Sequence, residues 1–235
     1  MLRTLFYAVT FVPWTLLVIL TGLPFSYVHK NFLHSYATFW AKVSLRLAGV
    51  RLVVEGRENL PAEGAVVFMP NHQSNFDILA LFAALSRQFR WLAKEELFHI
   101  PLFGLTMRRA GYIPVDRSNR KKSVESMRHA IERISDGTSV VIFPEGTRSP
   151  DGHLKEFKAG SFTLAIQAQV PIVPIAITGS RDVMPKHSRW IRGGRVTVTI
   201  MPPVSTADRA VKERNELMQE VRGPIEALVE KALQS

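Results

Sequence analysis

Beyond residue 50 the chain alternates short β-rich runs with helical stretches, and this alternation limits the possible folds more than any other feature. The β-rich runs cover residues 51–55, 65–69, 90–93, 112–115, 139–143, 172–177 and 195–201. Helical stretches fall between them at 75–86, 101–110, 118–135 and 158–169, and a last helix covers 206–232. That last helix is expected to break near Gly223-Pro224, because proline removes a backbone donor and clashes with the preceding turn. Strands alternating with helices predict an α/β fold with a mixed, largely parallel central sheet flanked by helices. No internal repeat or low-complexity linker divides this part of the chain. The organisation expected is an N-terminal membrane-associated two-helix segment over residues 1–50, followed by an α/β domain over residues 51–235.

The first 50 residues have a different character. No acidic residue occurs before Glu55, whereas Arg3, Lys30, Lys42, Arg46 and Arg51 supply positive charge. Between residues 5 and 23 the only ionisable group is the neutral phenol of Tyr7. As a helix this run would be about 28 Å long, one hydrocarbon thickness at most. Pro13 is expected to kink it or split it. A secretory signal is a rival reading, but no A-x-A-like cleavage site follows. From residue 32 to 49, Ser35, Thr38, Lys42 and Arg46 recur at helical spacing as one polar stripe, and Phe32, Phe39, Trp40, Val43 and Leu47 fill the wider face. Cations beside aromatic residues suit a helix at a headgroup boundary. Packing on the first helix as a core element is the other reading. A helical hairpin entering or lying in one leaflet is expected, with Pro24 near the turn; a single full span is the alternative.

The whole chain of 235 residues carries a net charge of +10, which favours an anionic partner such as an anionic membrane surface, an acidic substrate or nucleic acid. Cys is absent, which excludes disulfides, thiolate metal sites and a Cys nucleophile.

Two stretches carry chemistry. In Asn71-His72-Gln73-Ser74-Asn75-Phe76-Asp77, a strand ends before the histidine and a helical run begins near the aspartate. Five residues along an unbroken helix would set the two side chains roughly 140° apart. They meet only if His72 lies on the loop and Asp77 in the first helical turn. Asp77 would then accept Nδ1–H of His72 and leave Nε2 free as a base. Ser74-x-x-Asp77 is also a capping-box pattern, in which Asp77 bonds only backbone N–H. No G-x-S-x-G serine is present, so a base without a nucleophile points to direct attack by an activated substrate alcohol. No H-E-x-x-H pattern or Cys/His cluster suggests a metal.

The second stretch, Phe143-Pro144-Glu145-Gly146-Thr147-Arg148-Ser149, follows an apolar strand and is rich in turn formers. Gly146 would let a ligand approach the backbone, and Arg148 can grip a phosphate with two parallel bonds. A surface turn with a solvated arginine is the plainer reading. Arg117 and Lys94 each follow a strand and are further phosphate candidates. Arg181, Lys186, His187, Arg189, Arg192 and Arg195, with Trp190 among them, form a basic stretch suited to anionic lipid, an acidic carrier protein or a solvated loop.

Together these residues resemble the glycerolipid acyltransferases, and within them the bacterial 1-acyl-glycerol-3-phosphate acyltransferases. The family's N-H-x-x-x-x-D motif matches Asn71, His72 and Asp77. Its strand-plus-arginine motif matches Ile113-Pro114-Val115-Asp116-Arg117. F-P-E-G-T-R-S is complete from Phe143 to Ser149, and the proline-containing apolar strand is similar to residues 170–177. The similarity covers about residues 52–203. It implies transfer of a fatty acyl group from acyl-CoA or acyl-carrier protein to the sn-2 hydroxyl of lysophosphatidic acid, or else to another lysophospholipid or a lyso-aminolipid. His72 would be the general base and Asp77 its orienting partner. Arg148 with Gly146 and Thr147, and Arg117 and Lys94, would hold the phosphate, and Glu145 would position a glycerol oxygen. No cofactor or metal is implied, and nucleic acid is not an expected partner. The oxyanion donors are not identified by any motif. The lack of a cleavable signal and the need for a cytosolic thioester favour the inner membrane, with the catalytic face toward the cytoplasm.

Overall fold

The computed structural model describes residues 1–29, 31–116 and 120–234. The expected alternation is present. Seven strands are described: β1 (Val50–Glu55), β2 (Val67–Pro70), β3 (Arg90–Lys94), β4 (Ile113–Val115), β5 (Val140–Val141), β6 (Ile172–Thr178) and β7 (Gly194–Ile200). They form one sheet in the order β1-β7-β6-β2-β5-β3-β4, and only the β6–β7 pairing is antiparallel. The helices are α1 (Leu2–Phe25), α2 (Phe32–Leu47), α3 (Phe76–Ala84), α4 (Phe103–Arg109), α5 (Arg120–Ser135), α6 (Ala159–Ala168), α7 (Ser180–Val183) and α8 (Arg214–Leu233), with short 3-10 turns at Arg57–Asn59, Glu95–His99 and Val211–Glu213.

The central strands are apolar throughout because both of their faces are covered. Successive side chains of β6 go to opposite sides: Val173, Ile175 and Ile177 join one buried cluster, while Ile172 and Ala176 join the other. The first cluster includes α3 and the inner residues Tyr7, Ala41 and Leu45 of α1 and α2; the second includes α5, α6 and α8. The adjacent parallel strands β2 and β5 send their following helices, α3 and α6, to opposite faces. Divergence of this kind opens a crevice at the carboxyl ends of the strands, where α/β proteins hold ligands.

The N-terminal segment is a hairpin, with α2 packed on α3 as well as on α1. Pro13 does not break α1, which runs unbroken from Leu2 to Phe25. Pro13 lies on the exposed side with Val9, so the carbonyl that loses its partner lies away from the packed side. Pro24 falls inside the last turn, and the chain leaves the helix at Ser26. α1 is long and apolar enough to cross a membrane by length and composition. Its outer side exposes Leu5, Phe6, Val9, Val12, Leu16, Leu17 and Leu20.

The C-terminal helix departs from expectation twice. It begins at Arg214, well after residue 206, and it passes through Gly223-Pro224 without interruption. Leu217, Val221, Ile225 and Val229 are fully buried at intervals of four, on both sides of Pro224. Each such side chain contributes about 1.5–3 kcal/mol of burial, which outweighs the ~3 kcal/mol cost of one interior proline. Gly223 and Pro224 themselves face solvent. Pro224→Ala should therefore raise the melting temperature in detergent, by a gain of about 1–2 kcal/mol once the freer unfolded chain is counted. An unchanged or lower melting temperature would mean that the proline fits a bend the helix requires.

Candidate active site

The register of the sheet brings the two motif loops together. Val67 pairs with Val140 and Phe68 with Val141, so His72 and Glu145 leave adjacent strands at matching positions. Pro70 at the end of β2 cannot donate a ladder bond, and the Asn71 side chain takes over. Its Nδ2 donates to Ile177 O at 2.9 Å and its Oδ1 accepts Ile177 N–H at 2.6 Å. The loop is thereby pinned to β6 before it turns into α3.

Asp77 lies in the first turn of α3 with no solvent exposure. Its Oδ2 is 2.8 Å from His72 Nδ1 and accepts backbone N–H from Gln73 at 2.7 Å and Ser74 at 2.8 Å. Both readings of the motif are thus realised by one oxygen: the carboxylate holds the imidazole and caps the helix start. Ser74 Oγ accepts Phe76 N–H and donates to Met184 O. With an ionised carboxylate facing it, Nδ1 carries the ring proton and Nε2 is left free. The imidazole is also held by its face, since it stacks on Phe143 with centroids 3.8 Å apart, and Phe143 in turn stacks on Trp91. Of these supports, Phe143 stood in the sequence as the first residue of its motif, whereas no local pattern singled out Trp91.

Glu145 is buried and is not among the side chains that line the adjoining cavity. Its Oε1 accepts His72 N–H at 2.6 Å and its Oε2 accepts Lys155 N–H at 3.1 Å, which ties the two loops to each other. His72 O completes the tie by accepting Ser149 N–H at 2.7 Å. Gly146 has φ 72°, and a Cβ there would stand 2.8 Å from Lys158 Nζ, so the turn admits glycine alone without rearrangement.

One cavity of about 370 Å³ joins these parts. His72, Gly146, Thr147, Arg148 and Lys94 line its polar end. The remainder is apolar and runs under the hairpin, past Ile19, Leu33 and Trp40. Arg148 is half-buried and has no ion-pair partner among the described residues. Lys94 is at the rim, 2.8 Å from Glu96 in an exposed pair. Arg117 lies outside the described residues. Among those described, no group of His, Cys, Asp and Glu could hold a metal ion.

Burial pushes the Glu145 carboxyl up to about 7, against the opposing pull of its two backbone N–H bonds. A carboxyl raised in the folded state stabilises the protein below its unfolded value, and that contribution is lost as pH rises through the folded value. The melting-temperature difference between the native chain and Glu145→Gln should therefore shift against the native chain from about pH 4.5 to about 7, then level off. A difference independent of pH would contradict this.

Comparison with known proteins adds to this geometry. The Acyltransferase family model matches residues 51–178, which hold both motif loops. A chloroplastic 1-acyl-sn-glycerol-3-phosphate acyltransferase of Brassica napus is 35% identical over 213 residues, covering 87% of this chain and 61% of that protein. The chain thus spans less than two thirds of that relative. A 1-acyl-sn-glycerol-3-phosphate acyltransferase of Limnanthes alba is 31% identical, covering 90% of this chain and 74% of that one. The crystal structure of the 1-acyl-sn-glycerophosphate (LPA) acyltransferase PlsC from Thermotoga maritima superposes with a TM-score of 0.85 at 28% identity, covering 98% of this chain and 94% of that one. The protein described here belongs to the Acyltransferase family, in the group of the 1-acyl-sn-glycerol-3-phosphate acyltransferases.

Proposed function

We propose that this protein transfers a fatty acyl group from an acyl thioester, of coenzyme A or acyl-carrier protein, to the sn-2 hydroxyl of 1-acyl-glycerol-3-phosphate, producing phosphatidic acid. The observation that carries this reading is that the His72–Asp77 pair and Arg148 line or adjoin one cavity whose other end is apolar. Such a cavity suits a molecule with a phosphate, a hydroxyl and a hydrocarbon chain.

In this reading His72 Nε2 removes the hydroxyl proton as the oxygen attacks the thioester carbonyl. The tetrahedral intermediate collapses, the C–S bond breaks, and the imidazolium returns the proton to the departing thiolate. Asp77 stabilises the imidazolium; its Oδ1 has no hydrogen-bond partner among the described residues, so the buried carboxylate gains most when the ring is charged. Arg148 grips the acceptor phosphate with the Gly146-Thr147 turn alongside. Lys94 can exchange Glu96 for phosphate, because an exposed ion pair is worth little. Arg117 is assigned to the same phosphate site from its place in the motif.

The apolar outer face of α1 would lie in one leaflet of the cytoplasmic membrane, with the catalytic face toward the cytoplasm and its thioesters. The surrounding basic charge would rest on anionic headgroups.

With labelled oleoyl-CoA and a panel of lysolipids, phosphatidic acid should form from lysophosphatidic acid. His72→Ala and Asp77→Asn should each lower the rate by about 10²–10⁴-fold. Arg148→Ala should act mainly by raising KM for the acceptor. Full activity in His72→Ala would remove the base assignment, and product from a different lysolipid alone would change the acceptor.

A further inference from the structure

A second apolar surface lies beside the hairpin, on the knuckle formed by the 3-10 turn Glu95–His99 and the start of α4. Within nine residues, Leu97, Ile100, Leu102 and Leu105 are exposed by 38%, 47%, 43% and 40%. A single exposed leucine would mean nothing, but four on one knuckle make a patch. The backbone holds them outward. Gly104 packs so closely on Phe98 that a Cβ would stand 2.0 Å from its carbonyl oxygen, and Gly104 N–H bonds Ile100 O at 2.7 Å. Leu102 sits at φ 61°, ψ −51°, a conformation that bulky side chains rarely adopt. Phe98 and Met107 point inward and anchor the turn.

Three features identify the occupant of this surface as lipid. The patch continues the hairpin: Arg109, at the end of α4, donates to Ser26 O at 3.0 Å and lies 3.9 Å over the Tyr27 ring, beside the exposed Phe25 and Val28. Cations follow it, with Arg108 and Arg109 in the last turn of α4, as at an element that seats apolar side chains below a phosphate layer, while Lys94 before it is paired with Glu96. Its inner side chains Phe103 and Met107 line the cavity together with Val18 and Ile19 of α1, and Leu97 reaches from the patch to the same cavity.

We propose that residues 97–105 form a second lipid-facing element, a lip seated in the acyl region of the leaflet, past which the single-chain acceptor moves from the bilayer into the cavity. This rests on the acceptor being a membrane lysolipid, as argued above. Hairpin and lip flank the entrance from two sides, so the acceptor keeps its chain in an apolar environment throughout.

The absence of cysteine makes a direct test available. Single variants Ile100→Cys on the lip, Val9→Cys on α1 and Gln219→Cys on the opposite face of the sheet would carry an environment-sensitive fluorophore. Each would be bound to phosphatidylglycerol–phosphatidylcholine vesicles with acyl-chain spin-labelled lipid as quencher. The labels at Ile100 and Val9 should both shift to the blue and be quenched, with Gln219 silent. Quenching at Val9 but not Ile100 would overturn the lip and leave the hairpin reading standing; silence at both in vesicle-bound protein would overturn both. Separately, combining Ile100→Glu with Leu105→Glu, neither of which lines the cavity, should cut turnover of long-chain lysophosphatidic acid in vesicles by at least about tenfold. Turnover of a short-chain, water-soluble acceptor should stay within about twofold, as expected for surface exchanges. Equal loss on both acceptors, or no loss on vesicles, would overturn the proposal.

Discussion

Asp77 Oδ2 accepts three N–H groups within 2.8 Å from a position closed to solvent, and the site is arranged around that one oxygen. A buried carboxylate is costly unless its hydrogen bonds are made, so the loop must adopt the one path that brings Nδ1 of His72 and two backbone amides to the same point. The partners of that path then determine the neighbourhood. Asn71 fixes it to β6, Gln73 Nε2 donates to Gly152 O of the second motif loop, and Ser74 Oγ reaches Met184 O after α7. Glu145 closes the arrangement from the β5 side. Movement of any one of these segments would break a bond to the loop 71–74 that presents the imidazole.

The same arrangement explains why polar and apolar chemistry share one cavity. The loops at the carboxyl ends of β2 and β5 supply the imidazole and the arginine, because those two strands are adjacent and parallel and their helices diverge. The apolar part has a different origin. It is lined by side chains of α1, α2 and α4 together with Ile78 and Phe82 of α3 and Trp91 and Ala93 of β3. On the proposed reading a lysolipid needs both parts at once, with its hydroxyl at the imidazole and its chain beneath the hairpin.

Much of this was legible in the sequence, for physical reasons that can be named. β2, β5 and β6 are buried on both faces and must be apolar, whereas β7 alternates buried and more exposed positions, and both patterns read as β-rich runs; the β5 run shrank to Val140–Val141 because the chain leaves the sheet early to build the Phe143–Ser149 loop. The His72–Asp77 contact was legible because only a loop-to-helix junction allows residues five apart to meet. Long-range packing was not. Pro13 and Pro224 read as helix breaks, since the pattern around them does not show which side of the helix each proline will occupy. The structural engagement of Glu145 was hidden for a related reason: a carboxylate in a turn looks available until its neighbours show both oxygens taken by backbone amides. The stack of Trp91 and Phe143 beneath the imidazole joins residues about fifty apart in the chain, with no local signature at Trp91.

On the proposed reading Asp77 fixes the tautomer and orientation of His72. Nitrogen-15 NMR of histidine-labelled protein in detergent micelles addresses it directly, with the His72 signals identified by their loss in a His72 variant. A protonated Nδ1 with a strongly deshielded proton, an unprotonated Nε2, and loss of both features in Asp77→Asn are expected. A proton on Nε2, or rapid exchange between tautomers that Asp77→Asn leaves unchanged, would contradict it.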